Sequence, residues 1–289
     1  MLGILLLPII EVVVLGAAMG GVGALAIAGR RVFFAESLSH ATFPGAVVGV
    51  VVGQWLGGDI STWLFIGAGL LCVPLAWLMR LLSGLPGISA TAAAGIVLTL
   101  GFALGVFLLR WFQPLPVKVE GFLTGSLLAV SVSDVVASIV VLLAAVVVLA
   151  VWGRKLVVYY FDPVAYRVAG LSTTLAEAAT LGLLCAAMVV AIPAVGSILS
   201  IALLVAPAAG VMGFVRRMRS LVLLAAVAGV GIGLTGLYIA VHFSLSAGGT
   251  IAVVAGVFYV ACRFIGWGTC MSWNFRKRRK TTSSAFGTS

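Results

Sequence analysis

Charged residues are sparse in this chain: 17 Lys and Arg and 7 Asp and Glu among 289 residues, 8% in all, against 63% hydrophobic residues and a mean hydropathy of +1.30. That balance excludes a soluble globular domain, which carries about a quarter charged residues. Cysteine is equally uninformative as a framework. Cys72, Cys185, Cys262 and Cys270 are scattered with no C-x-x-C pair, which excludes a zinc knuckle or disulfide scaffold and leaves small apolar fillers. No G-x-x-x-x-G-K-[ST] occurs, so the chain has no phosphate-binding loop and does not itself hydrolyse ATP. G-x-S-x-G, H-E-x-x-H and the several paired acids of a proton relay are also missing, so the chain does not read as an enzyme. The N-terminal MLGILLLPII lacks a basic n-region and an A-x-A site, so it does not read as a removable signal peptide.

What is present is apolar length. Runs of about 20 residues, enough to cross a bilayer, tile nearly the whole sequence, and they do not alternate polar with apolar as barrel strands do. The reading is an all-α integral membrane protein. The 36 glycines suit close helix packing in lipid. Nine spans are expected at 9–29, 33–56, 60–82, 89–110, 132–152, 173–192, 194–215, 219–242 and 248–267, forming a transmembrane domain over 1–272, followed by a basic, disordered tail at 273–289. Loops after the odd spans carry Arg30 and Arg31, Arg80, Arg154, Lys155 and Arg167, then Arg216, Arg217 and Arg219, and the tail adds Arg276 to Lys280. The alternate loops are poor in base. By the positive-inside rule the N-terminus is outside and the C-terminus cytoplasmic. This also accounts for the net charge of +10 as topology charge and not as a nucleic-acid surface.

Against that apolar background Glu36 and His40 stand out, four residues apart in RRVFFAESLSHATFPG. Residues i and i+4 share a helix face, so carboxylate and imidazole can meet a common partner. Pro44 has no N–H, which deprives the His40 carbonyl of its usual helical partner. Counting from Arg31 at the inner edge, Glu36 lies roughly 7 Å and His40 roughly 13 Å into the membrane. The other acids read as shallower: Glu11 near the outer end of span one, Asp59 and Glu120 in outer loops, Asp134 at the start of span five, Asp162 in the large inner loop and Glu177 at the start of span six. An ionisable pair in lipid marks an ion path by default; the competing reading is hydrogen-bonded glue between helices. One carboxylate and one imidazole do not complete a divalent-cation site, but two chains about a twofold axis would supply two of each. That mixed oxygen and nitrogen set suits Mn²⁺, Zn²⁺ or Fe²⁺ better than Ca²⁺ or Mg²⁺.

Elsewhere the chain is punctuated by caps. Asp134 in SVSD reads as a helix cap, with metal entry as its alternative. In FDPVAYRVAGL, Asp162 is an N-cap, Pro163 fits the first helical position and Gly170 the position past the end, which predicts a short helix over 163–169. Such a helix is either a plain connector or a knob that docks into another protein. The outer segment 111–131, with Trp111, Phe112, Pro114 and Pro116, is expected to shape the outer mouth. Pro193 and Pro207 invite helix breaks, and His242 reads as an interface histidine or a ligand.

FFAESLSHATFPGAVVGVVVG resembles the signature of the membrane permeases of bacterial ABC importers for manganese, zinc and iron. ATAAAGIVLTLGFALGVFLL, EGFLTGSLLAVS, FDPVAYRVAGL, AVGSILSIALLVAPAA and SAGGTIAVVAGVFYV extend the likeness, in order, over about residues 10–265. The resemblance implies a permease of the metal/cobalamin-like type in the bacterial cytoplasmic membrane. It further implies pairing with a second copy or a related permease, a separate cytoplasmic ATP-binding subunit that uses the ATP, and an extracytoplasmic metal-binding protein that delivers the ion. No cofactor is held permanently; a divalent metal is cargo. The family's acid and histidine carry over onto Glu36 and His40. Asp162, Pro163, Tyr166, Arg167 and Gly170 fall in its loop that couples to the ATPase. The departure is Glu36, where Asp is common, which leaves direct ligation by Glu36 open. A gradient-coupled cation transporter acting without an ATPase is the alternative function.

Overall fold

The computed structural model describes residues 2–57, 60–113, 127, 130–215 and 217–285; Asp59, Pro114, Pro116, Glu120 and Arg216 lie outside the described residues. The described residues form helices and no strand. In chain order these are α1 (Leu2–Ala28), α2 (Val32–Ala41), α3 (Phe43–Leu56), α4 (Ile60–Ser83), α5 (Ala90–Trp111), α6 (Val132–Phe161), α7 (Pro163–Val168), α8 (Thr173–Val195), α9 (Ser197–Met212), α10 (Met218–His242) and α11 (Ala247–Ala285). Eight stretches are long and apolar enough to cross a membrane, and α9 is a shorter apolar helix of 16 residues. The backbone of α11 runs on to Ala285, while the side chains of the basic tail lie outside the described ones.

Local chemistry sets most boundaries. The Ser89 hydroxyl accepts from Ala92 N at 3.1 Å to open α5, and Ser172 accepts from Leu175 N at 3.3 Å to open α8. At the start of α6, Ser131 and Asp134 form a capping box, in which Ser131 N donates to Asp134 Oδ2 at 2.9 Å. The cap expected of Asp134 is therefore present.

Two boundaries differ from the sequence expectation. Span five does not stop at 152: α6 runs unbroken through Arg154 and Lys155 to Phe161, because nothing before Asp162 and Pro163 interrupts a helix. The charges that read as a loop sit on a helix that outruns the apolar layer. The second difference is at Pro193 and Pro207, both accommodated inside helices; the break falls at Gly196, whose φ of 88° lies in the region that glycine enters without a Cβ clash. Cys72 of α4 and Cys185 of α8 lie near each other as free thiols, in keeping with fillers and not a disulfide framework.

The helix α1 is the hub, packed along α10 and against α9, α6 and α8. With lipid as solvent, association rests on close van der Waals fit and not on the hydrophobic effect. Gly16 faces Gly229 so closely that a Cβ on Gly16 would stand 2.8 Å from the Gly229 carbonyl oxygen. Large apolar side chains such as Leu70, Val73, Trp77, Val147 and Phe264 are exposed, as a lipid-facing surface requires. The segment formed by α2 and α3 is the most enclosed span and sits against α4, α5 and α8.

Candidate metal centre

The enclosed second span carries the pair. Its two helices meet at Thr42, whose φ of −73° and ψ of −18° keep it in the helical region, so the axis continues across the junction. Thr42 N donates to Leu38 O at 3.0 Å and Ala46 N to Thr42 O at 3.0 Å, bridging the gap left by Pro44. On the far side, α5 lies flush against this junction. A Cβ on Gly101 would stand 2.6 Å from Ala41 Cα, and one on Gly105 would collide with the Phe43 ring. The bare backbone of α5 therefore sets how closely the pair's helix can be held.

On α2 the covered and uncovered faces are sharply divided. Phe34, Ala35, Ser37, Leu38 and Ala41 are buried, and Ser37 satisfies its hydroxyl locally by donating to Phe33 O at 2.8 Å. Phe33 is exposed and Glu36 and His40 are half-buried, at i, i+3 and i+7 along one stripe. The His40 ring is fixed edge-on to Phe102 of α5, with centroids 5.8 Å apart and planes at 87°, and Phe102 in turn stacks on Phe43 at 6.1 Å. Glu36 lies near enough for its charge to act on His40. Among the described residues no group of three or more His, Cys, Asp or Glu gathers to hold a metal ion. Glu36 and His40 thus share a stripe that the chain's own helices leave partly uncovered.

At one end of α2 an ion cluster pins its start. Arg31 Nη2 donates to Glu177 Oε1 at 2.6 Å, and Arg80 Nη2 approaches Glu177 Oε2 at 3.9 Å, joining the starts of α2 and α8 to the end of α4. Glu177, read from sequence only as the start of a span, is the hinge of that cluster.

The residues carried over to the coupling loop divide by exposure. Asp162 accepts from Ala165 N at 2.9 Å as N-cap, and Gly170 has φ 71°, both as the sequence predicts. Tyr166 turns inward at 4% exposure against Tyr159, with ring centroids 5.4 Å apart, while Arg167 is exposed beside Val164 and Val168 at 71% and 84%. Tyr166 thus holds the short helix to the bundle and the valines form its outward tip. The helix ends at Val168, a residue before the expected Ala169. His242 is exposed and stacks on Tyr238 at 6.1 Å, an aromatic surface contact.

One acid has surroundings that its position in the sequence does not show. Glu11 is 0% exposed, and its Oε1 accepts from the Ser138 hydroxyl of α6 at 2.6 Å. Nothing in its own neighbourhood of sequence signals this, since the partner is 127 residues away.

The described residues form a polytopic α-helical bundle whose second span bears the half-buried Glu36 and His40. Residues 1–266 match the ABC 3 transport family, and the chain belongs to that family. It is 31% identical over 246 residues to the zinc transport system membrane protein TroC of Treponema pallidum, covering 83% of this chain and 81% of that one. It is 27% identical over 252 residues to the manganese transport system membrane protein MntC of Halalkalibacterium halodurans, covering 87% and 84%. Among solved structures, PsaBC from Streptococcus pneumoniae in complex with Fab is similar at a TM-score of 0.79 with 26% identity, covering 90% of each chain.

Proposed function

We propose that the chain is the membrane-spanning subunit of an ATP-driven importer for divalent transition-metal ions, with Mn²⁺ the favoured cargo and Zn²⁺ or Fe²⁺ also accepted. The observation that carries this reading is the half-buried stripe on α2 that holds Glu36 and His40 together, while Phe34, Ala35, Ser37, Leu38 and Ala41 of the same helix are buried. A second copy or a related permease across a twofold axis supplies the other carboxylate and imidazole, and two carboxylates balance the charge of the ion. Without thiolates the site releases what it binds, as a conduit must. The manganese and zinc transport names of the relatives support the cargo class.

Energy comes from a separate cytoplasmic ATP-binding subunit that docks on α7 through Val164, Arg167 and Val168, and an extracytoplasmic binding protein delivers the ion. The N-terminus lies outside and the C-terminus in the cytoplasm of a bacterial cell, which places the Arg31–Glu177–Arg80 cluster at the inner edge. Closing and opening of the paired chains then moves the ion past Glu36 and His40. The test is uptake of radioactive Mn²⁺ and Zn²⁺ by the reconstituted complex. Uptake falls to background in Glu36→Ala and His40→Ala and without ATP. Unchanged uptake in both variants would sink the site, and transport by this chain alone would favour a gradient-coupled carrier.

A further inference from the structure

Glu11 is an acid that the Glu36–His40 reading does not use. It sits about 20 residues from Arg31 along the chain, which at about 1.5 Å per residue is the opposite end of the bundle, roughly 15 Å beyond His40. It is fully buried. Oε1 takes the Ser138 hydroxyl, and Oε2 has no hydrogen-bond partner. The ion pairs among the described residues involve Arg31, Arg80 and Glu177, not Glu11.

The face of α6 that meets Glu11 is itself acidic. Asp134 precedes Ser138 by four residues, one turn along the same side of the helix, and its charge reaches Glu11. Asp134 is half-exposed, with Ser131 and Ser133 beside it at the end of the bundle. Both cap bonds from Ser131, at 2.9 Å from the backbone N and 2.8 Å from the hydroxyl, end on Oδ2, which leaves the Oδ1 side of the carboxylate to another ligand. A fully buried carboxyl oxygen with no partner is costly to keep, and a cation beside Glu11 gives the orphaned Oε2 one.

We infer that Glu11, Asp134 and the Ser138 hydroxyl form a cation site distinct from Glu36 and His40, entered past Asp134 and closed off at Glu11. Its donors are all oxygen, so it takes a hard divalent ion such as Mn²⁺ or Ca²⁺, with water completing the shell. The Glu36–His40 pair, with its imidazole, discriminates differently: Ca²⁺ competes at the first site and not at the second.

The inference is tested by titrating Mn²⁺ into the purified full-length chain in lipid nanodiscs, in a Glu36→Gln/His40→Ala background, and following free Mn²⁺ by electron paramagnetic resonance. One Mn²⁺ per chain remains bound and Ca²⁺ displaces it. Glu11→Gln, which keeps the size of the side chain, and Asp134→Asn each weaken binding about tenfold or more, since the charge count sets affinity at such sites; Ser138→Ala weakens it less. Absence of Mn²⁺ binding in this background, or binding unchanged in Glu11→Gln and Asp134→Asn, overturns the site and leaves Glu11 a neutral acid gluing α1 to α6. If Glu11→Gln does not yield a monodisperse protein, Asp134→Asn and Ser138→Ala decide the matter from the half-exposed side and the hydroxyl. Because the readout is binding with Glu36 and His40 already removed, its failure leaves the transport reading untouched.

Discussion

Arg31 and Glu177 meet at 2.6 Å although 146 residues separate them, with Arg80 approaching the second oxygen of the same carboxylate. The contact anchors the start of the helix that bears Glu36 and His40 to two neighbours. In a double-mutant cycle, Arg31→Ala and Glu177→Ala are expected to show a coupling energy of about 1 kcal/mol, read from thermal unfolding in detergent. Raising salt shrinks that coupling, because both side chains remain partly solvated. Additive effects of the two substitutions would mean that the contact contributes nothing to stability.

The flush approach of α5 makes a second expectation. Gly101→Val pushes a side chain into the Ala41 backbone and is expected to cost about 1–3 kcal/mol, with a lowered Tm. Gly95→Ala, on the same helix with nothing within 4 Å of its added Cβ, serves as the control and leaves Tm within error or slightly raised.

On α7 stability and docking should separate. Tyr166→Ala removes a buried ring from against Tyr159 and lowers stability by about 3 kcal/mol. Val164→Asp and Val168→Asp, at exposed positions, leave Tm unchanged and abolish co-purification of the ATP-binding subunit. Retention of that subunit by both valine variants would move the docking surface elsewhere.

At the pair itself, length is the variable. Glu36→Asp withdraws the carboxylate by one methylene, about 1.5 Å, while His40 stays clamped by Phe102. Mn²⁺ uptake is expected to drop severalfold in Glu36→Asp and to remain above that of Glu36→Gln, which loses the charge. Equal uptake in Glu36→Gln and the unmodified chain would show that the carboxylate's charge plays no part.

How far the chain could be read in advance depended on the range of the interactions involved. Apolar length and loop charge are local, so the helical class and the approximate spans were legible, and so were the caps at Asp134 and Asp162. Glu36 and His40 announced themselves because ionisable groups are rare in such segments, and their four-residue spacing defines a face by itself. What tells an open face from a packed one is the set of neighbours: Gly101, Gly105 and Phe102 cover one side of α2 from about 60 residues away, and no local pattern reveals that. Glu11 was legible as lying near the outer end of span one, but its burial depends on Ser138 of α6, 127 residues away. Arg154 and Lys155 suggested a loop because a helix leaving lipid and a loop in water have the same composition.

The unbroken course of α6 has a mechanical consequence. A helix of 30 residues is about 45 Å of stiff rod, with the Ser131–Asp134 cap at one end and α7 hinged at Asp162 on the other. It carries no internal proline at which bending would be absorbed. A displacement imposed on α7 is therefore expected to arrive at the Asp134 end as tilt or translation of the whole rod.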